Sequence, residues 1–238
     1  MKEKILMPNG QIAQTVSEIR RRVAAAAEKS GRREKDIAIM AVTKTVPPEV
    51  VNEAIGCGLH LLGENRVQEY MDKRDSYHLY GCSVHFIGSL QTNKVKYIID
   101  KVDMIQSVNG LKLAAEIQKR AAACGKIMDV LLEVNIGEEE SKSGIIPADL
   151  DELAKRVCDM PNLRLSGLMA IPPFDASEQE SRDYFSRMNH LFLDMQAKKL
   201  DNSNVRVLSM GMSGDFETAI ECGANLVRLG TILFGKRK

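Results

Sequence analysis

Residues 37–49 read IAIMAVTKTVPPE: an apolar run at 37–42 is followed by a lysine, Lys44, and then by two prolines at 47 and 48. The six apolar residues at 37–42 predict a buried strand. The prolines predict a turn, and the residues after them predict a helix that begins near Glu49. A strand that passes directly into a helix is half of a βαβ unit, from which parallel sheets are built.

The same order of strand and helix repeats along the rest of the chain. Apolar runs predict eight strands, at residues 37–42, 59–63, 84–88, 104–108, 128–136, 163–171, 205–210 and 226–230. A leading amphipathic helix is marked by Ile12, Val16 and Ile19 at helical spacing. Seven further helices are predicted between the strands, at residues 49–56, 65–76, 92–100, 111–123, 148–159, 178–200 and 215–222.

The number of these units separates two parallel-sheet architectures. About eight strand–helix units without a flexible linker fit a closed (β/α)8 barrel, a fold that takes about 250 residues. An open doubly wound sheet would carry a G-x-G-x-x-G loop after its first strand, and AVTKTVPPE contains none. We therefore predict an α/β fold in which residues 1–238 form a single (β/α)8 TIM barrel domain with an extra N-terminal helix.

The composition excludes several functional classes. The chain has 33 basic and 32 acidic residues and a net charge of +1, so no overall field would attract nucleic acid or a membrane surface. Five scattered cysteines without a C-x-x-C pair argue against disulfides and zinc. The N-terminal MKEKILMPNG lacks the apolar core of a signal peptide, and no run could span a bilayer. We expect a soluble cytoplasmic protein that binds neither nucleic acid nor membranes.

The barrel prediction gives Lys44 a functional position. Lysines at strand ends usually extend their stems so that the ammonium reaches water. In (β/α)8 barrels, however, the carboxyl ends of the strands carry the chemistry. Lys44 stands at the end of the first predicted strand and therefore becomes a candidate functional residue.

The loops after the seventh and eighth predicted strands are typical of a phosphate site. SMGMSGDFETAI, at 209–220, places Ser213 among glycines ahead of a helix, and RLGTILFG, at 228–235, places Gly230 and Thr231 similarly. Barrels often bind phosphate in these two loops. Glycine and serine also form ordinary turns, so either loop alone is weak support. Together, at these two strands, they predict an anion site.

Arg228 is an unusual residue for the apolar eighth strand. The alternation of a strand puts Leu226, Arg228 and Gly230 on one face. Such an arginine either pairs with an internal acid or contacts a ligand. With a lysine and a phosphate site at the same mouth, it suggests a ligand that has a phosphate, a carbonyl and a ring. Pyridoxal 5'-phosphate (PLP) has all three, because its aldehyde condenses with lysine and its ring nitrogen can meet an arginine.

Six stretches resemble the pyridoxal phosphate homeostasis proteins (the YggS/PROSC family), whose fold is similar to the N-terminal barrel of alanine racemases. The matching stretches are AVTKTVPPEVVNEAIGCG, LLGENRVQE, HFIGSLQTNKVKYI, LLEVNIGEEESKSGI, LSGLMAIPP and LSMGMSGDFETAIECGANLVRLGTILFG. The last is especially specific, because S-M-G-M-S followed by V-R-L-G-T at that distance is not a general feature of barrel ends. The resemblance extends over almost the whole chain.

The resemblance implies a role for six residues. Lys44 would form the Schiff base with PLP, Asn65 would line the cofactor pocket, and Arg228 would contact the pyridine nitrogen. The phosphate would be held by Ser213, Gly230 and Thr231. Five other residues in these stretches are left outside the predicted site: Arg66, His85, Lys142, Met210 and Met212. The two methionines are left out because ordinary core packing explains them equally well.

The resemblance also implies a function with little or no turnover. An arginine stays protonated and keeps the ring nitrogen unprotonated, which weakens the cofactor as an electron sink. Alanine racemases add a tyrosine from a following β-domain, and this chain ends at Lys238 soon after the eighth predicted strand. The expected function is reversible PLP binding for intracellular buffering or delivery. We expect a monomer, with PLP-dependent apo-enzymes as candidate partners.

Two other functions would use the same residues. A PLP-dependent racemase or lyase of low activity would turn over amino acids. A Schiff-base aldolase acting on sugar phosphates would need the lysine and the phosphate site but no cofactor. The visible absorption of bound PLP in the purified protein would separate the racemase or lyase, which shows it, from the aldolase, which does not.

Overall fold

The computed structural model describes residues 11–173 and 175–235. Residues 1–10, in which the sequence predicts no signal peptide, lie outside the described residues. So do residue 174 and residues 236–238 at the end of the predicted domain.

Strands and helices alternate through the described ranges. The elements run in the order α1 Gln11–Lys29, β1 Ala38–Val42, α2 Pro48–Gly56, β2 Leu61–Glu64, α3 Val67–Lys73, β3 Ser83–Phe86, α4 Val95–Ile98, β4 Met104–Val108, α5 Leu111–Ala123, β5 Met128–Val134, α6 Leu150–Cys158, β6 Leu163–Ala170, α7 Glu178–Ala197, β7 Ser203–Ser209, α8 Phe216–Glu221, β8 Leu226–Leu229 and α9 Thr231–Phe234.

The eight strands form a closed parallel barrel in chain order, and β1 pairs with both β2 and β8. This confirms the predicted (β/α)8 fold and the extra helix α1 ahead of the first strand. Each predicted strand is present, and its ends differ from the prediction by at most two residues. Closure brings the carboxyl ends of all eight strands to one mouth, where barrels hold their functional residues.

Two helices are much shorter than the sequence predicts. The predicted helix at 65–76 becomes α3 followed by a 3-10 turn at Arg74–Ser76, because the chain stays extended through Arg66. The predicted helix at 92–100 becomes a 3-10 turn at Thr92–Lys94 followed by α4. Both segments still provide the connection that a parallel strand pair requires.

Alternation along the strands divides the apolar side chains between one large core outside the barrel and two small clusters inside it. Val227 and Leu229 belong to the large core between the barrel and its helices. Two smaller clusters lie on the opposite faces of the strands, inside the barrel: Met40, Val42, Ile87 and Leu226 in one, and Met104, Leu131 and Met169 in the other. The predicted alternation of the eighth strand is therefore correct, and it directs Arg228 inward with Leu226.

Helix α1 is tied to α8. Arg22 of α1 donates to Glu217 of α8 at 2.9 Å, and the Lys29 ammonium lies 2.8 Å from Glu221. Arg32, just after α1, donates to the backbone carbonyl of Ala224 at 2.9 Å. The N-terminal helix thus supports the unit that precedes the last strand.

Three further findings concern sites and surfaces. None of the helices within 11–173 and 175–235 combines the length and the apolar surface needed to cross a bilayer. All five cysteines are free thiols. Within the same ranges, no three His, Cys, Asp or Glu side chains are grouped so that they could hold a metal ion.

Gly167 in β6 is a position that tolerates no side chain. Its φ is +150°, and a Cβ there would lie 1.8 Å from the carbonyl oxygen of Val207 in β7. The register of β6 shifts at this residue against both neighbouring strands. We expect Gly167→Ala to lower the free energy of unfolding by about 2–3 kcal/mol, because β7 must move away. Urea unfolding followed by circular dichroism measures this change.

The control is Gly56→Ala at the end of α2, where a Cβ would meet no atom within 4 Å. We expect this control to change stability by less than about 1 kcal/mol. Equal stability of the two variants would mean that the approach of β7 to Gly167 imposes no constraint.

Candidate functional site

A cavity of about 670 Å³ lies at the carboxyl ends of the strands. Its wall includes all six residues that the sequence predicts for the site: Lys44, Asn65, Ser213, Arg228, Gly230 and Thr231. They lie in or just after β1, β2, β7 and β8, which closure of the barrel makes neighbours. The structure therefore brings the six together, and their roles toward a ligand remain predictions.

Lys44 lies two residues beyond β1, in a turn, and lines the cavity. The backbone N–H of Thr45 donates to Glu69 of α3, and Thr45 has a φ of +60°, which is unusual for a β-branched residue. The next unit of the barrel thus fixes the turn that carries Lys44.

Lys73 of α3 holds the same turn from its other end. Its ammonium donates to the Val46 carbonyl at 2.9 Å and also contacts Glu69. This pair is less than one-fifth exposed, so its electrostatic attraction is screened less than that of a surface pair. Glu69 and Lys73 together position the loop that follows β1.

Glu64, the last residue of β2, is a buried carboxylic acid beside this loop. Its Oε1 accepts hydrogen bonds from the Thr43 hydroxyl at 2.6 Å and from the Tyr77 hydroxyl at 3.0 Å. Its Oε2 is buried and has no partner in the part of the chain that the structure describes. Burial raises the pKa of Glu64, and the two hydrogen bonds offset only part of this effect.

Asn65 projects its side chain into the cavity wall, where its Oδ1 is buried without a partner among the described residues. Its backbone lies against Gly88, where a Cβ would approach the Asn65 carbonyl oxygen to 2.1 Å. Glycine at 88 therefore permits this placement. A buried amide oxygen that is unpaired within the chain is available to a ligand.

The loops after β7 and β8 are joined through Ser213. Its hydroxyl oxygen accepts the backbone N–H of Gly230 at 3.3 Å and that of Ile232 at 3.2 Å. Within the described ranges, the backbone N–H groups of Ser213, Gly214 and Thr231 have no hydrogen-bond acceptor. This combination of hydroxyls and amide donors on one wall suits an anion.

Two acidic residues near these loops are already engaged. Asp215 accepts the Met212 N–H at 2.6 Å, and burial raises the pKa of its carboxyl more than this hydrogen bond and the nearby Arg228 lower it. Glu217 is paired with Arg22. Their carboxylates therefore leave the amide donors of the loops available to another anion.

Arg228 crosses the barrel interior to the ends of two other strands. One terminal nitrogen donates to the Ser209 carbonyl at 2.8 Å and to the Ser209 hydroxyl at 2.7 Å. The other donates to the Ala170 carbonyl at 2.9 Å. Arginine has five N–H groups, so two remain after these three bonds. Because Arg228 lines the cavity, these two N–H groups can serve a ligand.

Among the residues that the structure describes, Arg228 is held by hydrogen bonds to Ser209 and Ala170 and not by an ion pair, and its contact with a ligand remains a prediction. Burial lowers the pKa of Arg228 to about 10, against the opposing influence of the Asp215 and Glu133 charges. The guanidinium is therefore still a cation at neutral pH.

The sequence did not identify the wall between β6 and α7. Residues of this wall are Ile171, Pro172, Pro173, Ala176, Glu178 and Ser181. The only signal in the sequence was the stretch LSGLMAIPP, whose paired prolines follow the sixth strand. Of the two methionines, Met212 lines the cavity, whereas Met210 packs in the core outside the barrel, because it continues the outward alternation of Leu208.

Three other residues of the matching stretches lie away from the wall. His85 is buried and hydrogen-bonded to Gln106, and burial lowers its pKa to about 4. Lys142 pairs with Glu139 at 3.0 Å. Arg66 precedes α3 and does not line the cavity.

We expect Glu64→Gln to change how stability depends on pH. Because its pKa is raised by burial above the ordinary 4.5, folded Glu64 keeps a proton that the unfolded chain releases. Stability is therefore lost as pH rises from about 4.5 through the folded pKa. Urea unfolding at about pH 5 and about pH 8 should show a smaller loss in the variant than in the wild type.

The matched control is Glu49→Gln, which removes an exposed carboxyl in the first turn of α2. An identical dependence of stability on pH for Glu64→Gln and Glu49→Gln would show that burial does not raise the pKa of the Glu64 carboxyl.

Comparisons with known proteins are consistent with this geometry. The model of the family described as alanine racemase, N-terminal domain, matches residues 15–238. A pyridoxal phosphate homeostasis protein of Aquifex aeolicus is 46% identical over 223 residues, which is 94% of this chain and 97% of the relative. The structure of PipY from Synechococcus elongatus with PLP bound superposes with a TM-score of 0.81 and 28% identity, covering 94% of this chain and 100% of PipY.

Alanine racemases share the fold at low identity. The enzyme of Corynebacterium glutamicum superposes with a TM-score of 0.67 and 14% identity, over 93% of this chain and 62% of the racemase. The extent and identity of the match to the Aquifex protein are much higher. This chain therefore belongs to the family of pyridoxal phosphate homeostasis proteins, on the barrel fold of the alanine racemase N-terminal domain.

Proposed function

We propose that this protein binds PLP reversibly through Lys44 and serves in intracellular PLP homeostasis, by buffering or delivery of the cofactor. The observation that carries the proposal is the presence of a lysine, an arginine and an anion-binding pair of loops on one cavity wall. The name of the Aquifex relative and the PLP bound to PipY support the choice of ligand.

The covalent contact is assigned to Lys44. When bound, PLP supplies an aldehyde that condenses reversibly with a primary amine and releases water. On the wall that the structure describes, Lys44 is the one lysine. The contacts of Glu69 and Lys73 with its turn would limit the number of directions in which the amine can lie.

The phosphate is assigned to the loops after β7 and β8. Ser213 and Thr231 supply hydroxyls, and the backbone amides of Gly214 and Thr231 supply N–H donors without an acceptor in the described chain. Ser213 already fixes the spacing of the two loops by accepting from Gly230. Donors that are prearranged in this way lose little entropy on binding an anion.

The ring is assigned to Arg228 and Asn65. Arg228 has two N–H groups to offer, and as a cation it favours an unprotonated ring nitrogen as acceptor. Asn65 supplies a buried amide oxygen that lacks a partner among the described residues. An unprotonated ring nitrogen withdraws electrons weakly, which supports the proposal that the protein has little or no turnover of amino acids.

A second feature of the wall supports low turnover. The wall that the structure describes contains neither a tyrosine nor a histidine that could serve as a second base opposite Lys44.

The full proposal is a single PLP-binding domain over residues 1–238, acting as a cytoplasmic monomer with PLP-dependent apo-enzymes as recipients. Five free cysteines are compatible with a reducing compartment.

We expect Lys44→Ala to abolish the visible absorption of bound PLP and the adduct that borohydride fixes to the peptide containing residue 44. The exposed Lys44 contributes little core volume, so the melting temperature of the ligand-free protein should stay close to that of the wild type. Lys35→Ala, which removes an exposed lysine ahead of β1, is the control and should retain the adduct. A fixed adduct on another lysine in the Lys44 variant would contradict the assignment.

The absence of substantial turnover is tested on the same proteins. The PLP-loaded wild type is incubated with amino acids in deuterated water, and exchange of the α-proton is followed against Lys44→Ala. We expect rates far below the roughly 1–1000 per second that is typical of enzymes. Rates within that range would establish the racemase or lyase alternative instead.

We expect Ser213→Ala combined with Thr231→Ala to weaken binding of PLP about a hundredfold or more, because each hydrogen bond to a charged phosphate contributes roughly 1.5–3 kcal/mol. Binding of pyridoxal, which lacks the phosphate, should change much less, so pyridoxal is the matched control ligand. Titration followed by absorbance measures both affinities. Equal losses for the two ligands would show that these residues only shape the loops.

A further inference from the structure

A row of buried polar side chains lies behind Arg228 inside the barrel. It consists of Ser209 in β7, Gln106 in β4 and His85 in β3, and each is less than one-tenth exposed. None of the three lines the cavity. They are therefore not expected to touch a ligand, yet they connect to the cation that does line the cavity.

The row is continuous. Arg228 Nη1 lies 2.7 Å from Ser209 Oγ, which lies 2.7 Å from Gln106 Oε1. Gln106 Nε2 lies 2.9 Å from His85 Nδ1. Each distance is that of a good hydrogen bond. Four strands of the barrel thus contribute one side chain each to a single path.

The direction of every bond follows from the arginine and from the orientation of the Gln106 amide. A guanidinium only donates, so the Ser209 oxygen accepts from Arg228. Gln106 Oε1 faces the Ser209 hydroxyl and accepts its hydrogen, so the Gln106 NH₂ group faces His85, whose Nδ1 accepts. The remaining ring hydrogen of a neutral His85 lies on Nε2.

We propose that Ser209 and Gln106 are positioning residues for Arg228: the one-way chain that ends at neutral His85 fixes the guanidinium so that one of its unused N–H groups donates to the ring nitrogen of PLP. The role toward PLP rests on the proposed function, whereas the direction of the chain can be tested on the protein alone.

The chemistry of the row suits this role. A carboxylate beside Arg228 would hold it more strongly but would also neutralise its charge and compete for its N–H groups. Neutral partners fix the orientation and leave the positive charge for the ligand. The cost of burying neutral polar groups is offset only if every member is bonded, as Ser209 and Gln106 are here.

His85 can end the chain because it stays neutral. Burial lowers its pKa to about 4, and the charges of Asp103 and Asp129 counter only part of that effect. At neutral pH its Nδ1 therefore carries a lone pair for the Gln106 amide. A protonated imidazole would present a donor to a donor and break the path.

The first experiment compares Ser209→Ala with Ser107→Ala in the full chain. Ser107 is also buried, but its hydroxyl has no partner within the described residues. This control therefore removes the same kind of atom without breaking any hydrogen bond between Arg228 and His85. Affinity is measured for PLP and for its 1-deaza analogue, in which a C–H replaces the ring nitrogen.

We expect Ser209→Ala to bind PLP about three- to tenfold more weakly than Ser107→Ala, the range of one hydrogen bond. The two variants should bind the deaza analogue equally, because it has no ring nitrogen for Arg228 to meet. Equal PLP affinities, or equal losses for PLP and its analogue, would overturn the positioning role. A wild type that binds no PLP would instead overturn the proposed function.

The second experiment needs no ligand, and its first measurement needs no variant. Nitrogen NMR of His85 in the ligand-free wild type should show an unprotonated Nδ1 and a protonated Nε2 at neutral pH. In Gln106→Glu, which cannot donate, the proton should move to Nδ1. A wild-type His85 that carries its proton on Nδ1 would overturn the one-way chain, whether or not PLP binds.

Discussion

The buried guanidinium of Arg228 imposes the strictest condition on this barrel. A cation inside a protein must be surrounded by acceptors or it will not stay charged. Here the acceptors are the carbonyl groups of the last residues of β6 and β7, together with the Ser209 hydroxyl. The register of three neighbouring strands is therefore fixed around one side chain, and that side chain lines the cavity.

The other elements of the site are each held by the unit beside them. The turn of Lys44 is held by α3, and Ser213 links the loops that follow β7 and β8. Asn65 is seated against Gly88, where only a glycine leaves room for its carbonyl. A site built in this manner depends on neighbouring strands being in the correct order, which the closed barrel guarantees.

The sequence was sufficient for the fold and for one side of the cavity, because both follow from local patterns. Apolar runs mark the strands, and a lysine, an arginine and glycine-rich loops at strand ends point to the mouth. The wall between β6 and α7 could not be predicted, since Ile171 and Ala176 have no polar signature. Nor could the path from Arg228 to His85, because it depends on which residues of non-adjacent strands share one level inside the barrel. The α3 and α4 segments were overestimated for a related reason: helical propensity extends beyond the short stretches that tertiary packing retains.

The pairing of β1 with β8 has a consequence for the order of events during folding. Lys44 and Arg228 are separated by most of the chain, and the contacts of Arg22 with Glu217 span 195 positions. Such contacts form late, because bringing distant segments together requires the intervening chain to be ordered or to lose much of its freedom. The cavity is therefore complete only when the last strand has docked against the first. A nascent chain whose β8 is still inside the ribosome cannot yet place Arg228, Gly230 and Thr231 on the cavity wall, so a complete wall reports that the barrel has closed.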